Sequence, residues 1–150
     1  MQIDPALAHK ELTPKKTMPL IDIVKKDLKA NHKGEGITLE QAAGALEQFR
    51  QDGAKFVRFG NTLFIVENPN DEAVIYHTVN ADPAQIYLYN ILQFFAELHE
   101  QGKTQATSYF SNPKLIDFLE KTKLPNETIA ESDDPSRGSY MVVTPLTRGA

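Results

Sequence analysis

His77 opens the stretch in which residue type and position most invite chemistry: HTVNADPAQ, residues 77–85, joins an apolar strand-like segment to a long apolar run. An imidazole titrates near neutrality, so His77 has the chemistry of a general base; the plainer alternative is a strand histidine making ordinary hydrogen bonds. His9, His32 and His99 share no paired spacing with it, so no histidine metal site is expected. Asp133 and Asp134, beside Pro135 and Ser136, lack the alternating ligands and closing glutamate of a calcium loop and read as a hairpin loop. Arg58 and Arg137 are lone arginines expected to pair with carboxylates across a sheet. The absence of cysteine excludes disulfides, thiol nucleophiles and thiolate metal sites, and no Walker-type, dinucleotide-binding or nucleophile-elbow motif is present.

The element that must position this stretch is residues 82–102, DPAQIYLYNILQFFAELHEQG. Asp82 is placed to N-cap a helix, Pro83 suits its first position, Gln85 completes a loose capping box, and Gly102 supplies a left-handed stop. Leu88, Ile91, Leu92, Phe95 and Leu98 follow helical spacing, and Ile86, Tyr87, Tyr89 and Phe94 widen the stripe, so the helix must be covered on more than one side. Its aromatic rings are explained by packing on a sheet.

Ahead of it, Leu20, Ile21, Ile23, Val24 and Leu28 predict a short amphipathic helix that ends before Gly34 and Gly36. Thr38 and Gln41 predict a capping box for a second helix with the stripe Leu39, Ala42, Ala43, Leu46 and Phe49, stopped by Gly53. Strands follow at 56–59 and 62–67, joined by a hairpin turn at Gly60 and Asn61, and at 73–79 after a turn of Asn68, Pro69, Asn70 and Asp71. Beyond the long helix come a strand at 104–110 and a short helix opened by Asn112 and Pro113. That helix bears Leu115, Ile116, Phe118 and Leu119, and Pro125 cannot continue it. Strands at 127–132 and 140–146 close the chain.

Length of 150 residues and a net charge of -4 suit one soluble domain, here 18–147, between an extended arm at 1–17 and a tail at 148–150. No apolar run is long enough to span a bilayer, and the N-terminal residues lack the apolar centre of a secretory signal, so a cytoplasmic location is expected. The mild acidity argues against nucleic acid as a bulk-charge partner. Lys10, Lys15, Lys16, Lys25, Lys26, Lys29 and Lys33 make the front of the chain locally basic, which a solvated helix face or tail explains.

The order helix, helix, three strands, long helix, strand, short helix, two strands resembles the GNAT acetyltransferase fold over roughly residues 18–147. YFSNPKLIDFLEKTKLPNETI, residues 109–129, looks like that family's late strand-helix-strand unit. The resemblance implies an α+β fold: a mostly antiparallel mixed sheet of about six strands, with the long helix central and shorter helices flanking it. It also implies a cofactor cleft beside the strand that follows that helix. In an active relative His77 would face the cleft as base, and Tyr109 or Tyr140 would serve as the acid; half-buried sheet tyrosines are the plainer reading of both. Family members typically carry Gln or Arg, x, x, Gly, x, Gly or Ala in the strand-to-helix loop, where glycine backbone approaches the pyrophosphate. Here Val79, Asn80, Ala81, Asp82, Pro83 and Ala84 stand there instead. No glycine lies between Gly60 and Gly102, and no lysine or arginine between Arg58 and Lys103. Pro83 lacks an N–H, and Asp82 is expected to put a carboxylate where phosphates would sit, so no cofactor is expected.

The expected function is therefore a non-catalytic structural or interaction role on a GNAT-like fold, with docking through Pro5, Leu7, Leu12, Pro14, Lys15 and Lys16 of the arm. Small proteins of this kind without the glycine motif resemble virion components of tailed bacteriophages (internal, neck or capsid-associated). The partners implied are other virion proteins or copies of this chain, and the location implied extends to the virion. The alternative is an acetyl-CoA-dependent N-acetyltransferase with an atypical cofactor loop; a third possibility is an inhibitor or adaptor of one host protein.

Overall fold

In the computed structural model, residues 18–32, 34–110 and 128–146 are described. The arm, the helix expected from Asn112 and the 148–150 tail lie outside them. Helix α1, Leu20–Asn31, starts behind Pro19, whose carbonyl accepts from the amides of Asp22 at 3.0 Å and Ile23 at 3.2 Å. It buries Ile23, Val24 and Asp27 and leaves Leu20 and Ile21 outside, at 45% and 44% exposure, so only part of the expected stripe faces the core. Helix α2, Leu39–Gln51, has the capping box in full: Thr38 Oγ1 accepts from Gln41 N, and Gln41 Oε1 accepts from Thr38 N. Its stripe is incompletely covered. Leu39, Ala42, Leu46 and Phe49 are half-buried, Ala43 is exposed, and no residue of the helix is fully buried.

Strands β1 (Lys55–Phe59) and β2 (Thr62–Glu67) flank the expected turn, where Gly60 adopts a φ of 57° that a glycine takes without strain. Strand β3 is Ala73–Asn80, helix α3 is Ala84–Glu100, and β4 (Gln105–Phe110), β5 (Thr128–Glu131) and β6 (Tyr140–Pro145) follow. The six strands form one mixed sheet in the order β1-β2-β3-β4-β6-β5. The register of β3 with β4 is parallel over Ala73/Gln105, Val74/Ala106 and Ile75/Thr107, while β6 runs antiparallel to both β4 and β5. This is the α+β arrangement of a mixed six-stranded sheet with helices.

Two compact units divide the chain: Met1–Ile65 with Thr78–Ile91, and Val66–His77 with Leu92–Ala150. In the first, the core is formed by Ile23, Val24, Leu63, Phe64, Ile65, Ala81 and Ile91, with Phe59 edge-on to Phe64 at 6.1 Å. In the second, Tyr76 meets Phe94 and Phe95 edge-on at 5.4 and 5.8 Å, beside Val66, Val74, Leu98, Ala106, Val142 and Leu146. Of the expected α3 stripe, Ile91, Phe95 and Leu98 are buried and Leu92 is not. Phe94 and Asn90 turn inward, and Leu92, about 200° from each around the helix, is 43% exposed. Among the described residues no helix is long and apolar enough to cross a membrane.

Candidate functional site

The strand-to-helix loop between β3 and α3 lies in the first unit and is held by a buried polar network. Asn80 donates its backbone N–H to Asp27 Oδ1 at 3.1 Å, Ala81 donates to the Asn61 carbonyl at 3.0 Å, and Asp82 donates to Asn80 Oδ1 at 3.0 Å. Pro83 has no N–H to give. Every backbone donor from Asn80 to Pro83 is therefore engaged within the protein or missing. The Asn80 side chain closes the turn, accepting also from Thr62 Oγ1 at 2.7 Å and donating Nδ2 to the Asp82 carbonyl at 2.9 Å.

Asp82 does not act as the expected cap. Its carboxylate turns inward, where Oδ2 accepts from Asn61 N and from Asn90 Nδ2, each at 2.9 Å, and the residue is only 9% exposed. Asn90 Nδ2 also reaches Thr62 Oγ1 at 3.0 Å. The cause is the bare turn at Gly60: a Cβ there would stand 2.9 Å from Asp82 Oδ2 and 3.1 Å from Asn90 Nδ2, so glycine makes room for both side chains. Burial of these polar groups is tolerated because each finds a partner. Arg58 does not pair with a carboxylate either. It braces the same turn, donating to the Gly60 carbonyl at 2.8 Å and Asn61 Oδ1 at 2.9 Å, and Met18 N donates to that Asn61 oxygen at 3.0 Å. On the α1 side, Asp27 Oδ2 lies 3.2 Å from His32 Nε2, and His32 Nδ1 lies 2.5 Å from Glu35.

What remains at the start of α3 is the helix itself. Its first internal bond runs from Tyr87 N to the Pro83 carbonyl at 2.9 Å, leaving the amides of Ala84, Gln85 and Ile86 without an intrahelical partner. Ala84 and Gln85 are exposed. Of the loop Val79, Asn80, Ala81, Asp82, Pro83, Ala84, only the last belongs to the helix.

A second cluster, within the other unit, collects five of the residues singled out from the sequence: His77, Tyr109, Asp133, Asp134 and Arg137. His77 Nε2 lies 2.7 Å from Glu67 Oε2, and Arg137 Nη1 donates to the same oxygen at 2.9 Å while its Nε lies 3.3 Å from Asp134. The Arg137 guanidinium sits 5.8 Å over the Tyr109 ring, and Tyr109 donates its hydroxyl to Asp133 at 2.6 Å. Arg137 thus pairs with carboxylates as expected. Burial pushes the Glu67 carboxyl up, but the Arg137 and His77 hydrogen bonds outweigh it and hold the group below its usual range. The hydrogen bond to Asp133, with burial, pushes the Tyr109 phenol up to about 12. A proton donor works best with a pKa near the working pH, so this environment suits Tyr109 to holding its proton. Tyr140 is elsewhere, stacked on Phe110 at 5.4 Å. The arm residues Pro5, Leu7, Leu12, Pro14, Lys15 and Lys16 lie outside the described residues. Among the described residues no group of three or more His, Cys, Asp or Glu side chains could hold a metal ion.

The buried network escaped the sequence reading, although two signals pointed to it. Asp27 sits in the inward phase of α1 beside Ile23 and Val24, and Asn90 sits in mid-helix among apolar residues; a polar side chain on a buried face needs a partner.

The fold is that of the GNAT acetyltransferases. The chain is similar to an acetyltransferase from Streptococcus agalactiae, with a TM-score of 0.58 and 11% identity over 87% of this chain and 96% of that one. It is similar also to Ard1 from Thermoplasma volcanium, with a TM-score of 0.53 and 10% identity over 89% and 97%. A third is the ribosomal-protein-S18-alanine N-acetyltransferase from Escherichia coli, with a TM-score of 0.53 and 12% identity over 90% and 94%. No protein-family profile matches the sequence, and no curated protein matches it.

Proposed function

We propose that this chain is a non-catalytic structural or interaction protein on a GNAT fold. The observation that carries the proposal is the engagement of the loop's donors: Asn80 N, Ala81 N and Asp82 N all bond internally and Pro83 has none. A diphosphate seat needs several backbone N–H groups turned outward together, and cationic side chains to balance its charge. Here the nearby Arg58 is bonded to the β1–β2 turn, and an ionised Asp82 would add unfavourable negative charge. The Tyr109 phenol at about 12, bonded to Asp133, favours the same reading. The resemblance to virion proteins without the glycine motif extends the proposal to a component of a bacteriophage particle that docks through its arm.

One observation favours the other reading, an N-acetyltransferase with an atypical loop: the amides of Ala84, Gln85 and Ile86 have no intrahelical partner, and the solved structures with this fold include N-acetyltransferases. Isothermal calorimetry with acetyl-CoA and with CoA separates the two. The expected result is no saturable heat; micromolar binding of either ligand refutes the non-catalytic proposal.

A further inference from the structure

The pair α1 and α2, within the first unit, leaves large apolar side chains and charges of both signs exposed. Three of the five exposed large hydrophobic residues among those described belong to this pair and its connection: Leu20 at 45%, Ile21 at 44% and Ile37 at 41%. On α2 Ala43 and Gly44 are exposed. Gly44 has open space around it, since a Cβ there would meet nothing within 4 Å. Another backbone can therefore approach α2 closely on that side.

The charges differ between the two helices. On α1 the exposed Lys25 and Lys29 continue from Ile21 at i, i+4 and i+8, and Lys26 is exposed beside them. On α2 the exposed Glu40 and Glu47 fall at i and i+7, on the face that carries Ala43 and Gly44. Arg50 pairs with Glu47 and offsets part of that charge, and Asp22 offsets part of the charge on α1. A basic helix beside an acidic one is the pattern a two-fold axis completes. In an isologous contact α1 of each copy meets α2 of the other, so both contacts unite opposite signs.

We propose that the α1–α2 face binds a second copy of this chain, α1 against α2, across a two-fold axis. This rests on the interaction role proposed above and names the surface and the partner. The contact covers Leu20, Ile21 and Ile37 and brings the lysine row of one copy to the glutamate row of the other.

The test is sedimentation velocity on the full chain over a range of concentrations. The wild type is expected to be a dimer that weakens in high salt. Ile21→Glu, at an exposed position that folding does not bury, is expected to raise the dissociation constant by about tenfold or more. The charge variants are the sharper probe. Lys25→Glu/Lys29→Glu and Glu40→Lys should each self-associate more weakly than the wild type, yet bind one another when mixed, because the mixed pair restores opposite signs at both contacts. Circular dichroism verifies that each variant is folded. A monomer at all concentrations, a dimer insensitive to Ile21→Glu and charge reversal, or a dimer abolished only by deleting residues 1–17 overturns the proposal. The CoA titration reads the other proposal separately: a monomer that ignores CoA refutes only the dimer, and a dimer that binds CoA refutes only the non-catalytic role.

Discussion

Replacing Asp82 with alanine separates a buried tie from a helix cap. A capping carboxylate at an exposed helix start is worth about 1 kcal/mol. In the structure Asp82 Oδ2 instead accepts from Asn61 N and Asn90 Nδ2, each at 2.9 Å, in a residue only 9% exposed. Removing the acceptor leaves two buried donors unsatisfied, each costing about 1–3 kcal/mol, with some relief where water enters the space. The expected loss is therefore about 2–4 kcal/mol, a fall in melting temperature of roughly 5–15 °C for a chain of this size. Asp82→Asn keeps one carbonyl oxygen in place and should lose less. Chemical denaturation gives the free energy, and amide hydrogen exchange gives the location, since Asn61 N–H should lose protection in Asp82→Ala. A loss near 1 kcal/mol with Asn61 still protected would refute the buried tie and restore the cap.

Gly60→Ala forces a left-handed φ of 57° on a side chain whose Cβ stands 2.9 Å from Asp82 Oδ2. It should cost about 1–3 kcal/mol, and combined with Asp82→Ala it should cost less than the sum, because the second change removes the obstructing oxygen. Glu67 is held below its usual range by Arg137 and His77 against the opposing effect of burial. Its folded value lies below the unfolded value of about 4.3, so its contribution is fully present above that pH and disappears as pH falls through the folded value. The stability advantage of wild type over Glu67→Gln should be constant above about pH 5 and shrink below about pH 4 in urea midpoints; a constant difference throughout would refute it. Tyr109 has the opposite sign: its folded value is raised to about 12 from 10.0, so its contribution is present below the unfolded value and lost as pH rises through the folded one. Tyr109→Phe should delete a phenol that titrates well above the ordinary range from an ultraviolet titration, and loss of an ordinary phenol instead would count against the Asp133 hydrogen bond.

Local chemistry made most elements legible before any coordinates. The capping box at Thr38 and Gln41, the hairpin at Gly60 and Asn61, and the strands at Thr62–Glu67 and Tyr140–Pro145 all depend on neighbours a few residues apart. Element order then led to the fold. The polar network was hidden because its members are distant in sequence: Asn61 meets Asp82 across 21 positions, and Asp27 meets Asn80 across 53. Asp82 before Pro83 reads locally as a cap, yet tertiary partners draw its carboxylate inward. Leu92 was placed in the stripe by spacing alone, while Asn90, a polar residue, takes the buried position because Thr62 and Asp82 await it. His77 and Tyr109 were both visible as candidates, but Glu67, Asp133 and Asp134, which fix their environment, were not tied to them by any motif.

The most direct measurement of the central claim is a backbone amide NMR titration of residues 80–86 with CoA. With the donors of Asn80, Ala81 and Asp82 bonded inside the protein, the resonances from Asn80 to Ile86 should stay in place up to millimolar ligand. A saturable shift centred on Ala84, Gln85 and Ile86 would contradict it, because it would mean that a diphosphate finds its seat at the start of α3 despite the closed loop.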